Sequence, residues 1–370
     1  MRITFVVVLA DLSGGFRVVA TYAERLRQRG HEVLVVSGGR HKPSWKQRLH
    51  AFIKRKPLRI FPDDAPTHLD DTQVAHKKLD SRRAPTPDEL PDADVLVATW
   101  WETADWIWPL PTSKGVKVHF MQDYEVWGNY PAHRVDATCV LPVPKITPAR
   151  WVKELLNNNF GQTDVTLVPN AVDLAKFTAP PRGKQTIPTV GFTYTAFRNK
   201  GADITIEAIR LARQQRPELR VVSFGSNKPR PELPLPPGTV YHLRAPEPML
   251  KELYGQCDAW LFGTRKEGFG LPILEAMACR TPVVGTPAGA APELLAQGGG
   301  TLVPMEDPRA MADAILKVCS MHATEWRALS DAAHATANRW TWDDATDQFE
   351  AALVRAVEQA RRNQPQPAGV

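Results

Sequence analysis

An almost unbroken apolar run at residues 3–10 gives way to Asp11, Leu12, Ser13, Gly14 and Gly15, and then to apolar positions at Val18, Val19, Tyr22 and Leu26. The run has the character of a buried strand and the following spacing that of an amphipathic helix, which Gly30 stops. Residues 31–36, His-Glu-Val-Leu-Val-Val, read as a further strand, so the chain opens with a strand, a helix and a second strand, the unit from which parallel sheets are built. The same alternation recurs at residues 94–99 and 116–121. A stretch rich in Pro and Lys, 180–188, breaks the pattern, and a second series follows. Strands are predicted at 189–192, 220–224, 239–243, 259–262 and 281–285, with helices at 202–215 and 248–257 between them. The fold class is therefore α/β, with two doubly wound Rossmann-like domains expected to face a central cleft. The predicted divisions are 1–168, a linker at 169–188, a second domain at 189–341, a helix at 342–362 packing back on the first domain, and a disordered tail at 363–370.

Length supports two domains: 370 residues exceed what one hydrophobic core usually organises. Lys and Arg outnumber Asp and Glu by 46 to 40, a mild excess that favours anionic partners. Cys139, Cys257, Cys279 and Cys319 are far apart and form no paired motif, so buried thiols are expected in place of disulfides or a zinc site. The first apolar run is too short for a signal peptide, and no stretch approaches the roughly 20 apolar residues of a membrane span. A cytoplasmic location is the expectation.

The densest chemistry lies at 266–278, Lys-Glu-Gly-Phe-Gly-Leu-Pro-Ile-Leu-Glu-Ala-Met-Ala. A glycine-containing loop runs into a helix with Pro272 at an early position, where the missing N–H costs nothing. The backbone N–H groups of Phe269, Gly270 and Leu271 begin that helix and form an anion site suited to a diphosphate, while Gly268 and Gly270 allow close approach. Glu267 lies before the helix and Glu275 inside it, so both carboxylates flank the anion and suit hydroxyl partners. A capping glutamate and a solvated helix glutamate are the plainer reading of the same pair.

Glu267 and Glu275, with GFGLPILEAMA beginning after the first and PVVGTPAGAAPELL beyond, resemble the GT4 family of retaining glycosyltransferases, which have the GT-B fold. LVPNAVDLAKF at 167–177 is similar to that family's interdomain segment, and DLSGGFRVVATYAERLRQRGHEV to its first strand and helix. The resemblance implies that 189–341 binds a nucleotide sugar, with Glu267 on the donor sugar, the amides of 269–271 on sugar and phosphate, and Glu275 on the ribose. It matches Lys200 to the family's diphosphate lysine. The chain departs from the family after Gly191, where Phe192 stands in place of an arginine; Arg198 is the candidate substitute. Cations there would offset the charge that develops on the leaving diphosphate, so no metal cofactor is expected. A surface Lys-Gly turn is the alternative for Lys200.

In the first half, Gly14 and Gly15 could approach donor or acceptor, although a glycine pair after a strand is also an ordinary turn. Gln122, Asp123 and Tyr124 end a predicted strand, as do Trp100 and Trp101, and these five are candidates for the acceptor side, the tryptophans as an aromatic wall or as core. Asp123 could assist or orient the acceptor. The run Gln122-Asp123-Tyr124-Glu125 is similar to the branch containing rhamnan-synthesis and rhamnosyl-type transferases, which points to a deoxyhexose donor. His119 alternates into the strand as a core residue. From Arg40 to Arg59 eight basic residues and no acid are interleaved with Trp45, Leu49, Phe52 and Ile53. That segment suits either an anionic membrane surface or a solvated face over the sheet. The membrane reading makes the enzyme peripheral on the inner face of the membrane, with a lipid-linked saccharide as acceptor. The expected function is thus transfer of a sugar from a nucleotide diphosphate donor to a saccharide acceptor, with retention and without a nucleic-acid partner. Two alternatives remain: a sugar-nucleotide epimerase or phosphorylase on the same fold, and a non-catalytic basic protein that binds membrane or nucleic acid.

Overall fold

The computed structural model describes residues 1–39, 45, 49–50, 53–54, 65–126 and 130–363. Most of the basic segment 40–59 and the tail from 364 lie outside these residues. The chain forms two units, Met1–Val168 with Thr346–Val370, and Pro169–Ala345.

The first unit is built on a parallel sheet of seven strands in the order β3-β2-β1-β4-β5-β6-β7. The strands are β1 Arg2–Val7, β2 Glu32–Ser37, β3 Ala75–Lys78, β4 Val95–Ala98, β5 Val116–Phe120, β6 Lys145–Thr147 and β7 Val165–Leu167. Central strands are apolar on both faces because helices cover both: Val95 to Ala98 are all buried, and Val6, Val36, Leu96 and Ala98 join Ala104 and Ile107 of the helix Trp101–Ile107 in one core. The edge strand β3 carries His76, Lys77 and Lys78, all exposed, which discourages further pairing. The C-terminal helix Trp342–Arg362 contributes Phe349 to this unit, its ring stacked on Tyr22 at 4.2 Å and edge-on to Phe120 at 5.1 Å. Arg29 and His31 pair with Glu350 beside it, each at 2.9 Å.

His119 on β5 is a core histidine, 1% exposed, and neither ring nitrogen has a hydrogen-bond partner. Burial, helped by the ammonium of Lys145 opposite it on β6, pushes its pKa down to about 3 from 6.5. Lys145 is itself pushed down to about 8 by burial, although its Nζ donates to the carbonyls of Leu141 and Val143 and to Oε1 of Gln162. An unfolded chain binds the His119 proton below pH about 6.5, whereas the folded one resists it until about 3, so stability is present above that window and lost as pH falls through it. His119→Leu is expected to flatten the loss between pH 7 and pH 4, measured by denaturant unfolding at both values; an unchanged slope would reject this assignment.

The second unit holds a parallel sheet of six strands in the order β10-β9-β8-β11-β12-β13. They are β8 Thr189–Thr193, β9 Arg220–Gly225, β10 Val240–Leu243, β11 Ala259–Phe262, β12 Val283–Gly285 and β13 Gly300–Leu302. Helices Ala202–Gln215 and Pro308–Ser320 bury Ala208, Ile209, Ala212, Met311 and Ile315 against β8 and β11. The segment 169–188, expected as a linker, belongs to this unit. Arg182 lies over the Trp326 ring at 4.6 Å and donates to Thr281, and the amides of Gln185 and Thr189 donate to buried Asp258.

Candidate functional site

In both sheets the strand order reverses beside the first strand of the unit, between β1 and β4 and between β8 and β11. Chains leaving the carboxyl ends of two such strands diverge to opposite faces and open a crevice where ligands bind. In the second unit those two chain segments carry the residues singled out above. Lys200 follows β8 on the turn Arg198–Lys200, and Glu267 follows β11. Lys200 Nζ donates to Glu267 Oε2 at 2.7 Å.

Backbone contacts fix that approach. Gly201 has φ +61°, and a Cβ there would stand 1.7 Å from the Gly263 carbonyl oxygen, so only glycine lets the turn lie on the end of β11. The amides of Arg265 and Lys266 both donate to the Asn199 carbonyl, at 2.8 and 3.2 Å. The Arg265 guanidinium donates to the Arg198 carbonyl at 2.7 Å, pairs with Asp203 at 2.7 and 2.8 Å, and pairs with Glu306. These charge-assisted bonds hold the Asp203 and Glu306 carboxyls below their usual range. Nothing in the sequence pattern singled out Arg265; its place two residues before Glu267 was the available signal.

Beyond Glu267 the chain reaches Gly270, φ +103°, which caps the helix Leu271–Ala278. Its first turn has N–H groups that no carbonyl of the same helix can reach. Phe269 and Leu271 are recessed at 6% and 9% exposure, and Gly289, φ +62°, presses against the Phe269 carbonyl, leaving no room for a side chain there. Glu275 is buried at 4% exposure and accepts a hydrogen bond from the Tyr254 hydroxyl at 2.7 Å. It is therefore not a solvated helix glutamate. Phe192, where the GT4 family carries arginine, is a core residue at 1% exposure, whereas Arg198 is exposed beside Lys200.

In the first unit Gly14 and Gly15 open the helix Gly14–Gln28, whose N-cap Ser13 accepts from the Phe16 amide. Gln122 Nε2 donates to the Gly15 carbonyl at 3.1 Å, joining the loops after β1 and β5. Asp123 accepts from the Tyr124 amide at 2.8 Å, and the Tyr124 hydroxyl donates to Asp136 at 2.6 Å. Of the two tryptophans only Trp100 is partly exposed. Trp101 is 2% exposed under the Arg134 guanidinium, so of the two alternatives, aromatic wall or core, it takes the core. The reason is register: Trp101 begins a helix and turns inward, while Trp100 caps it. Among the described residues no group of three or more His, Cys, Asp or Glu is placed to hold a metal ion, and no helix is long and apolar enough to cross a membrane.

Comparison with known proteins agrees with this architecture. The two units are the Rossmann-like domains of the GT-B fold: the sucrose-phosphate synthase of Thermosynechococcus elongatus matches 98% of the chain with a TM-score of 0.69 at 18% identity, covering 98% of that structure. Anabaena Alr3699/HepE, solved with UDP and glucose, matches 96% of the chain and 100% of its own with a TM-score of 0.71 at 16% identity. Residues 184–321, most of the second unit, match the family described as Glycosyl transferases group 1. A D-inositol 3-phosphate glycosyltransferase of Mycobacterium avium is 36% identical over 111 residues, 30% of this chain and 26% of the relative. O-antigen chain mannosyltransferase B of Escherichia coli is 35% identical over 104 residues, 28% of this chain and 26% of the relative. The chain thus spans about a quarter of the length of these relatives.

Proposed function

We propose that the protein transfers a sugar from a nucleotide diphosphate donor to a saccharide acceptor. The observation that carries this reading is the meeting of Lys200 and Glu267, 2.7 Å apart, at the carboxyl ends of the two switch-point strands and beside the start of the helix Leu271–Ala278. The diphosphate lies against the amides of Phe269, Gly270 and Leu271, with Lys200 and Arg198 as cations. Glu267 takes hydroxyls of the sugar and Glu275 those of the ribose. As the glycosidic oxygen leaves on the diphosphate, negative charge grows where Lys200 and the helix terminus already point, and such preorganised groups lower the barrier without rearrangement. The cation and helix end do the work that a divalent ion does elsewhere, so the reaction proceeds without metal. Retention follows from the resemblance of the Glu267 and Glu275 loop to a retaining family. The UDP and glucose named with the Anabaena protein make UDP-glucose the first donor to try. The run from Gln122 to Glu125 adds a deoxyhexose donor. The basic segment 40–59 suits a peripheral position on anionic membrane and a lipid-linked acceptor.

The test is thermal unfolding with UDP-glucose, GDP-mannose, UDP-N-acetylglucosamine and dTDP-rhamnose. One of them is expected to stabilise the chain, by about 2.7 kcal/mol at 100 times its dissociation constant. The Lys200→Ala/Glu267→Ala double variant is expected to lose that response. Stabilisation by none of the four, or an equal response from the double variant, would count against the donor site.

A further inference from the structure

Glu275 is an oddity of the helix that carries it. Every residue from Leu271 to Ala278 except Pro272 is buried, and an apolar side chain at 275 would suit that environment better than a carboxyl group, whose burial is costly without hydrogen-bond donors. One donor is Tyr254, on the helix Glu247–Gly255, which is wholly buried and gives its hydroxyl proton to Glu275 Oε2 at 2.7 Å. The phenol ring cannot swing. Trp260 lies against it at 4.4 Å, Phe224 at 5.8 Å and Phe177 at 6.1 Å, and the Thr281 hydroxyl donates to the Tyr254 backbone carbonyl at 2.7 Å. A rigid donor on one carboxylate oxygen sets the rotation of the whole carboxylate.

We propose that Tyr254 is a positioning residue for nucleotide recognition: by holding Glu275 Oε2 it aims the carboxylate at the ribose hydroxyls of the donor. The proposal rests on the reading that Glu275 binds the ribose. Tyr254 itself touches no substrate in this account. Its contribution is preorganisation, because a carboxylate already oriented loses less rotational freedom when ribose arrives.

The test compares binding of UDP, GDP, ADP and dTDP with that of their 2′,3′-dideoxy counterparts by isothermal titration calorimetry on the full chain. Wild-type protein should bind its preferred diphosphate about 10- to 100-fold more tightly than the dideoxy form, the worth of a hydrogen bond to a charged group. Tyr254→Phe keeps the ring and its packing, so it should fold. It should weaken the natural diphosphate about 3- to 10-fold, as loss of one hydrogen bond does, and leave the dideoxy form unchanged. In a Glu275→Gln background the same substitution should then add nothing. A purely structural role would weaken both ligands together, and that result, or no change in either, would overturn the proposal. If Glu275→Gln narrows the ribose discrimination and Tyr254→Phe does not, the ribose reading stands and the role of Tyr254 falls. If Glu275→Gln leaves discrimination intact, both fall.

Discussion

Lys200→Gln is expected to lower kcat/KM for sugar transfer by about 10²- to 10³-fold, the usual consequence of removing one preorganised group from a developing anion. Stability should hardly move. Lys200 is 41% and Glu267 20% exposed, and an ion pair so open to solvent contributes at most about 1 kcal/mol to folding. The split between activity and stability makes the experiment informative. Lys200 and Glu267 touch each other and in the proposed site serve neighbouring parts of one ligand, so Lys200→Gln/Glu267→Gln should cost less than the product of the two single losses. A single-variant loss under about tenfold, or strictly multiplicative losses, would remove Lys200 from the site.

Gly201→Ala is expected to be among the most damaging single substitutions in the second unit. Its φ of +61° costs a side-chain-bearing residue about 1–2 kcal/mol, and the new Cβ would overlap the Gly263 carbonyl oxygen at 1.7 Å. Neither atom belongs to a flexible side chain, so the turn must lift from the end of β11 and carry Lys200 away from Glu267. A total of about 3–5 kcal/mol, in the range reserved for specific backbone conflicts, should lower the melting temperature by about 10 °C and remove transfer activity. Gly14→Ala is the control for stability, since nothing lies within 4 Å of its Cβ position and its φ is not left-handed. A melting temperature for Gly201→Ala within about 2 °C of wild type would show that the turn is not locked in this way.

Apolar periodicity carried most of the architecture. The helices Ala202–Gln215 and Trp342–Arg362 and the strand Ala259–Phe262 fall where the pattern puts them, because long amphipathic stripes and short wholly apolar runs have few other uses. The pattern failed where burial does not decide the element. Strand β3 is polar and exposed along its length, and β6, β7 and β13 are three residues each, too short for any alternation to register.

The candidate donor loop was legible because glycines, a proline and two acids at fixed spacing constrain backbone and charge together. What surrounds it was not. Arg265 acts through Asp203 and Glu306, 62 and 41 residues away in sequence, and Tyr254 through Glu275, 21 residues away. Such pairings depend on how strands order in the sheet, which no local pattern encodes. The tryptophans show the converse: adjacency in sequence suggested a shared role, and the start of a helix between them sent one inward.

The most direct test of the account is a crystal structure of the chain with the nucleoside diphosphate of its preferred donor. The diphosphate is expected within hydrogen-bond distance of the amides of Phe269, Gly270 and Leu271, with Lys200 Nζ on a phosphate oxygen and the Glu275 carboxylate on the ribose. A diphosphate bound away from the start of the helix Leu271–Ala278, or bound there with Glu267 and Glu275 both turned from the ligand, would contradict it.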